Sequence, residues 1–197
     1  MKRFMITLAI ILLVLKLFGQ KKSNYTENDA KQFYRTIQGD YTGSLNDSTT
    51  LSLHFTPIWE REDDRFRWLY MEATENETKK VVEQKILEIV PLSDISFRVI
   101  LYDIKRPESF IGKWSNRNYF DGFNTSILKG KGKFLFMKTM DFEYQTNWNG
   151  RKTLKCFAKG AQVHFKFVQE DERLYVKWIP KRSSRIFGIT FFKAMTD

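Results

Sequence analysis

The stretch Asp141–Ile179, DFEYQTNWNGRKTLKCFAKGAQVHFKFVQEDERLYVKWI, decides the fold. Phe142, Tyr144, Thr146 and Trp148 alternate with Glu143, Gln145 and Asn147. After Asn149-Gly150, Leu154, Cys156 and Ala158 alternate with Lys155, Phe157 and Lys159. Beyond Gly160, Val163, Phe165 and Phe167 alternate with His164, Lys166 and Val168, and a polar corner at Glu170–Arg173 leads to Leu174, Val176 and Trp178. Strand side chains point to opposite faces at every second residue, so this pattern predicts consecutive strands joined by turns. Asn-Gly is the dipeptide that best accepts the positive φ angles of a two-residue hairpin. The segment predicts an antiparallel meander and names no catalytic chemistry.

Working outward, the alternation continues on the N-terminal side. Leu51, Leu53 and Phe55 alternate with Ser52 and His54 in a strand that Pro57 should end. Phe66 to Thr74 is apolar on both parities, so it is covered on both faces or has a ligand cavity on one. Val81–Val90 reads as a strand ending at Pro91, and Ile95, Phe97, Val99 and Leu101 form another. Pro107–Gly112 is a short turn, and Trp114–Gly132 an irregular connection. Pro180–Arg185 is a basic turn before a last strand, Ile186–Lys193. Gly43–Thr50 reads as a loop. One helix is expected, capped by Asn28, with Ala30, Phe33, Tyr34 and Ile37 on one face and Gly39 as its stop. The fold class is therefore all-β with one N-terminal helix, a lipocalin-like antiparallel up-and-down β-barrel. Closure removes exposed strand edges, and such a barrel has room for one small ligand.

The chain of 197 residues fits one domain at 28–197, after a signal at 1–20 and a linker at 21–27. Lys2-Arg3 precedes the apolar run Phe4–Leu15, which Lys16 closes too early to cross a bilayer comfortably. Gly19 is small, whereas Leu17 is larger than the residue usual at a cleavage site, so an uncleaved anchor stays open beside a cleaved signal. The expected destination is the periplasm or the exterior. Cys156, the single cysteine, allows no internal disulfide, and no cysteine near residue 20 could carry a lipid.

The formal charge is +10, and without Lys2, Arg3 and Lys16 it is 10 − 3 = +7. Such a surface attracts acidic partners or anionic lipid heads. The basic residues are interleaved with Glu and Asp and no groove-reading motif is present, so nucleic acid is not an expected partner. His54 and His164 lack companion ligands, so no metal is expected. Gly130-Lys131-Gly132-Lys133 lacks the strand–loop–helix context of a phosphate loop and reads as a turn. Cys156, between Leu154 and Ala158 on its face, reads as a packed thiol.

The run Tyr102-Asp103-Ile104-Lys105-Arg106-Pro107-Glu108-Ser109-Phe110-Ile111-Gly112 resembles a segment of the CpcT/CpeT family of phycobiliprotein chromophore lyases. In the same order, Phe33–Gly39, Leu69-Tyr70-Met71-Glu72, Gln84 with Leu87 and Pro91, Gly150, Cys156 and Gly160-Ala161 are similar to landmarks of that family. The resemblance implies a barrel whose cavity holds a linear tetrapyrrole and delivers it to a cysteine of an acceptor protein. The thioether would form at a vinyl group of the bilin, with no cofactor required. Two departures stand out. Val81-Val82-Glu83-Gln84-Lys85 replaces the family's Pro-Tyr-Arg-Gln-Arg, and Pro180–Arg185 replaces an acidic, Gly-rich segment.

The candidate ligand-binding residues are Trp68, Tyr70, Glu72, Gln84, Lys85 and Tyr102, and no catalytic residue is identified. Glu72 could meet a pyrrole N–H with Tyr70 beside it, or sit at the rim paired with a cation. Gln84 and Lys85 point to opposite faces, so only one can line a given wall. Lys85 could hold a carboxylate or be solvated, and Tyr102 could contact ligand or hydrogen-bond the following turn. The expected partner is a small planar apolar ligand such as a bilin, with an acceptor protein if attachment occurs. A homodimer is compatible with all of this. The alternative function is an exported, non-enzymatic carrier of another apolar ligand.

Overall fold

The computed structural model of the chain describes residues 24–59, 67–93, 95–140, 143–146 and 161–194. The expected signal, the charged turn at Arg61–Arg65, the Asn149-Gly150 turn and the strand carrying Leu154, Cys156 and Ala158 lie outside these residues. Among the described residues one helix, α1 (Asn24–Ile37), precedes ten strands: β1 (Gly39–Asn46), β2 (Thr49–Ile58), β3 (Arg67–Glu75), β4 (Lys80–Ser93) and β5 (Ser96–Ile104), then β6 (Leu128–Met140), β7 (Glu143–Thr146), β8 (Gln162–Val168), β9 (Arg173–Ile179) and β10 (Phe187–Lys193). Each strand pairs antiparallel with its sequence neighbours, and β1 pairs with β10 to close the barrel. The expected up-and-down architecture is the observed one.

Several boundaries differ from the sequence reading for local reasons. α1 begins at Asn24, within the expected linker; no Pro or Gly occurs between Lys21 and Ile37 to stop it. The expected loop at Gly43–Thr50 includes much of β1. Gly43 is required there because a Cβ would lie 2.6 Å from the Thr190 carbonyl, so β1 and β10 approach too closely for a side chain. The turn expected at Gly130–Lys133 is part of β6, with Gly130 opposite Tyr102 and Gly132 opposite Leu101. The register shift there leaves Lys131 as a bulge residue. β7 pairs with β8, Tyr144 opposite Phe167.

The inner face follows the alternation. Leu69, Met71 and Ala73 of β3, Phe97, Val99 and Leu101 of β5, and Leu174, Val176 and Trp178 of β9 all enter one core. α1 adds Ala30, Phe33 and Ile37 to it. The Phe33 ring lies 4.6 Å from Phe97, 5.1 Å from Phe136, 5.5 Å from Phe167 and 5.7 Å from Tyr144, centroid to centroid. Tyr41 Oη and Lys193 Nζ both donate to the Thr36 carbonyl at 3.1 Å, and Lys138 Nζ approaches Asp29 at 3.4 Å. α1 therefore closes the end where β1 starts and where β6 and β10 finish. The connections after β1, β3, β5 and β9 are at the opposite end.

Truncating a buried Phe removes its transfer free energy and leaves a cavity. Phe33→Ala should therefore cost about 3–5 kcal/mol, read by urea denaturation. A loss below about 1 kcal/mol would mean that α1 does not plug the barrel.

Candidate functional site

The barrel wall parts at the end opposite α1. β3 pairs with β4 as far as Lys80, whereas the β4–β5 ladder stops at Ile86↔Tyr102. Asp103 and Ile104 of β5 pair with Lys129 and Leu128 of β6. Two bulges frame this divergence, one between Ala73 and Thr74 in the β3–β4 ladder and one between Leu101 and Tyr102 in the β5–β6 ladder. A bulge bends its strand and increases local twist, which carries the two strand ends apart. The result is a cleft of about 410 Å³, with Val81, Val82, Glu83, Gln84 and Lys85 on one side and Asp103, Ile104, Lys105, Pro107 and Lys129 on the other.

An ion cluster crosses this seam where backbone pairing has ended. Glu83 and Lys85 are in phase with the inward residues Leu87 and Ile89, and Asp103 is in phase with Leu101. Lys85 Nζ donates to Asp103 Oδ1 at 2.8 Å and to Glu83 Oε1. The Lys85 and Glu83 side chains are 3% and 4% exposed, whereas Asp103 is 27% exposed and faces the cleft. Burial lowers the Lys85 pKa, but its hydrogen bonds to Asp103 and Glu83 outweigh that and raise it above its ordinary value of 10.5. Lys105 and Lys129 are exposed at the rim, with Lys105 Nζ donating to the Ser126 carbonyl at 2.7 Å.

A second polar cluster lies on the outer wall beside the cleft. The connection from β5 to β6 is a strap of 3-10 turns at Pro107–Phe110, Lys113–Ser115, Arg117–Gly122 and Thr125–Ile127. Phe110 and Phe120 of the strap pack with Ile58, Trp59, Tyr70 and Ile86 on the outer face of β2, β3 and β4. Thr56 Oγ1 donates to the Trp114 carbonyl at 2.6 Å and Trp59 Nε1 to the Phe120 carbonyl at 2.8 Å. His54 stacks on Trp114 at 3.9 Å and its Nδ1 lies 2.8 Å from Asp40 Oδ1. β3 is therefore covered on both faces, by the core within and by the strap outside.

Beneath the strap, Glu72 is buried at 2% exposure. Its Oε2 lies 2.7 Å from Tyr70 Oη, 3.0 Å from the Gly112 amide and 3.3 Å from Gln84 Nε2. Gly112 adopts φ +71°, a conformation glycine tolerates best, and this aims its N–H at the carboxylate. The one Tyr70 hydroxyl proton can go to Glu72 or to the Phe110 carbonyl at 2.9 Å; the charge-assisted bond is the stronger. Burial, then Glu72, raises the Tyr70 pKa far above its ordinary value.

Of the six candidates, Lys85 faces inward and Trp68, Tyr70, Glu72, Gln84 and Tyr102 face outward. The cavity position considered for Glu72 and Tyr70 is thus replaced by a place under the strap. Gln84 and Lys85 both line the cleft because the wall splits between their two faces. Gln84 joins the two clusters through its 2.7 Å bond to Tyr70 Oη. Trp68 packs between Trp59 and Tyr102, and Tyr102 Oη donates to Glu88 at 2.6 Å. Among the described residues, a void in the interior beside Phe33 and Ile37 is about 50 Å³ and wholly apolar. It would hold a few waters by volume, well below the usual small-molecule pocket. Asp103, Lys105 and Lys129 were missed as site residues, although the phase of Asp103 with Phe97, Val99 and Leu101 marked an inward charge needing a partner. No family model matches the chain, and no curated protein matches it.

Because the folded pKa of Lys85 is raised, its ion pairs stabilise the fold below pH 10.5 and cease to do so as pH rises through the folded value. Lys85→Met should destabilise by about 3–5 kcal/mol at pH 7, since it removes the buried ammonium that Glu83 and Asp103 share. The gap from wild type in urea melts should narrow only above pH 10.5. A gap already closing between pH 7 and 9 would contradict a charged Lys85.

Proposed function

We propose that this chain binds a linear tetrapyrrole of the bilin type, in the seam between β4 and β5 rather than in the barrel's centre. The observation that carries the reading is the charge layout of the 410 Å³ cleft, with carboxylates at its floor and lysines at its rim. A bilin is complementary to that layout. Its pyrrole N–H groups are donors along the middle of the molecule and would meet Asp103, while its propionates would reach Lys105 and Lys129. Ile104, Pro107, Val81 and Val82 supply apolar contact for the ring faces. The volume suits a partly enclosed guest, with the rest of the molecule toward solvent.

The resemblance to chromophore lyases supports the same ligand class and suggests the reaction. An acceptor thiol would add across the vinyl group, its sulfur bonding one carbon and its proton ending on the other, with no leaving group. The protein's task would be to hold the bilin with that end presented outward. Carriage of another apolar molecule is the second reading, favoured by the wholly apolar lining of the interior void. At about 50 Å³ that void would admit a chain only if side chains such as Phe33 moved, and lipid extracted from purified protein would distinguish this reading.

Titration with biliverdin or phycocyanobilin should give a sharpened, red-shifted absorption band with micromolar affinity. Asp103→Asn and the double variant Lys105→Ala/Lys129→Ala should each raise Kd roughly tenfold or more, the size of one lost charged hydrogen bond. An unchanged spectrum at high protein concentration, or binding indifferent to both variants, would remove the proposal.

A further inference from the structure

The β9–β10 hairpin is a one-sided charged feature of the described residues. Between Leu174 and Lys193 the sequence holds Lys177, Lys181, Arg182 and Arg185 but no Asp or Glu. All four cations are exposed, and among the described residues none of them pairs with a carboxylate. Apolar side chains stand among them: Ile186 is 57% exposed and Phe187 37% exposed. Their placement is fixed rather than incidental. Phe187 stacks on Trp178 across the hairpin at 5.9 Å, and the Arg185 guanidinium lies over its other side at 5.1 Å from the ring centre. Arg182 at φ +69° turns the connection between the two strands.

We propose that this hairpin tip docks on an anionic lipid surface. Cations without local carboxylates are drawn to lipid phosphates, and the attraction falls off within a Debye length of the membrane. An aromatic ring with an apolar face and a cation beside it suits the headgroup boundary, where Ile186 would enter the acyl region. A purely electrostatic polyanion site would not need the exposed Ile186, which favours a lipid surface over nucleic acid. The tip lies at the same barrel end as the seam, because both the β5–β6 and β9–β10 connections are opposite α1. Docking through the tip would turn that end toward the membrane. The inference rests on the hairpin alone and stands whether or not the seam binds a bilin.

The test is sedimentation of the full chain with vesicles of phosphatidylcholine alone or mixed 7:3 with phosphatidylglycerol, a ratio of about this order giving a strongly anionic surface. Each cation near such a surface is worth roughly fivefold in partitioning. Binding to the mixed vesicles should exceed binding to neutral ones at least tenfold, and salt should weaken it. The triple variant Lys181→Ala/Arg182→Ala/Arg185→Ala should lose roughly a hundredfold, whereas Arg35→Ala/Lys133→Ala, exposed away from that end, should behave as wild type. Ile186→Asn should weaken binding severalfold without altering its salt slope. Insertion through the apolar N-terminal run would give binding insensitive to lipid charge, salt and the triple variant, and that result overturns the proposal. So would hairpin-dependent binding to single-stranded RNA as tight as that to anionic vesicles.

Discussion

Closure of ten antiparallel strands around a single helical plug is the constraint on which the rest of the molecule depends. A sheet closed on itself has no free edge, and its inward side chains must then be matched in volume by whatever fills the centre. Here Phe33 does much of that filling, ringed by Phe97, Phe136, Phe167 and Tyr144. A barrel of this strand number could be a deep cup. With α1 seated across one end, a small apolar void lies beside Phe33. The cleft in the barrel wall is the larger of the two spaces.

The wall offers that space because pairing between β4 and β5 ends early. Separated strands would expose unpaired backbone and a route for water into the core. Lys85 and Asp103 span the gap instead, and Glu83 shares the ammonium. Buried ion clusters are weak sources of stability against an apolar alternative, but losing one partner leaves a charge stranded. The cluster therefore acts as a polar hinge plate, holding the strand ends at a fixed separation without sealing them. The strap supports the same region from outside. Gly112 and Tyr70 meet Glu72 under it, and Gln84 links that cluster to the edge of the cleft.

Much of the fold was legible in the sequence because alternation survives wherever one strand face is buried. β5, β8 and β9 follow it closely, and the double-sided apolarity around Trp68–Ala73 left cover on both faces or a cavity on one open, of which the strand shows the first. Strand β1 was hidden by Gly43, whose lack of a side chain reads as a loop and in fact permits a close approach to β10. Gly130 and Gly132 hid the start of β6 similarly, in a bulged stretch. The site was harder to read. Spacing placed Gln84 and Lys85 on opposite faces, as observed, but could not show that the wall splits between those faces. Nor could it tell the inside of the barrel from the outside for Tyr70 and Glu72, because the strap that covers them is held by contacts such as Thr56 to Trp114, 58 residues apart in sequence.

The most direct measurement of this account is residue-resolved amide exchange of the full chain with and without biliverdin. A guest in the seam should slow exchange at Val81–Lys85 and at Asp103–Lys105 and leave Phe33–Ile37 unchanged. Altered exchange along α1 with no change at the seam would place the guest in the barrel's centre, displacing Phe33, and would contradict the account.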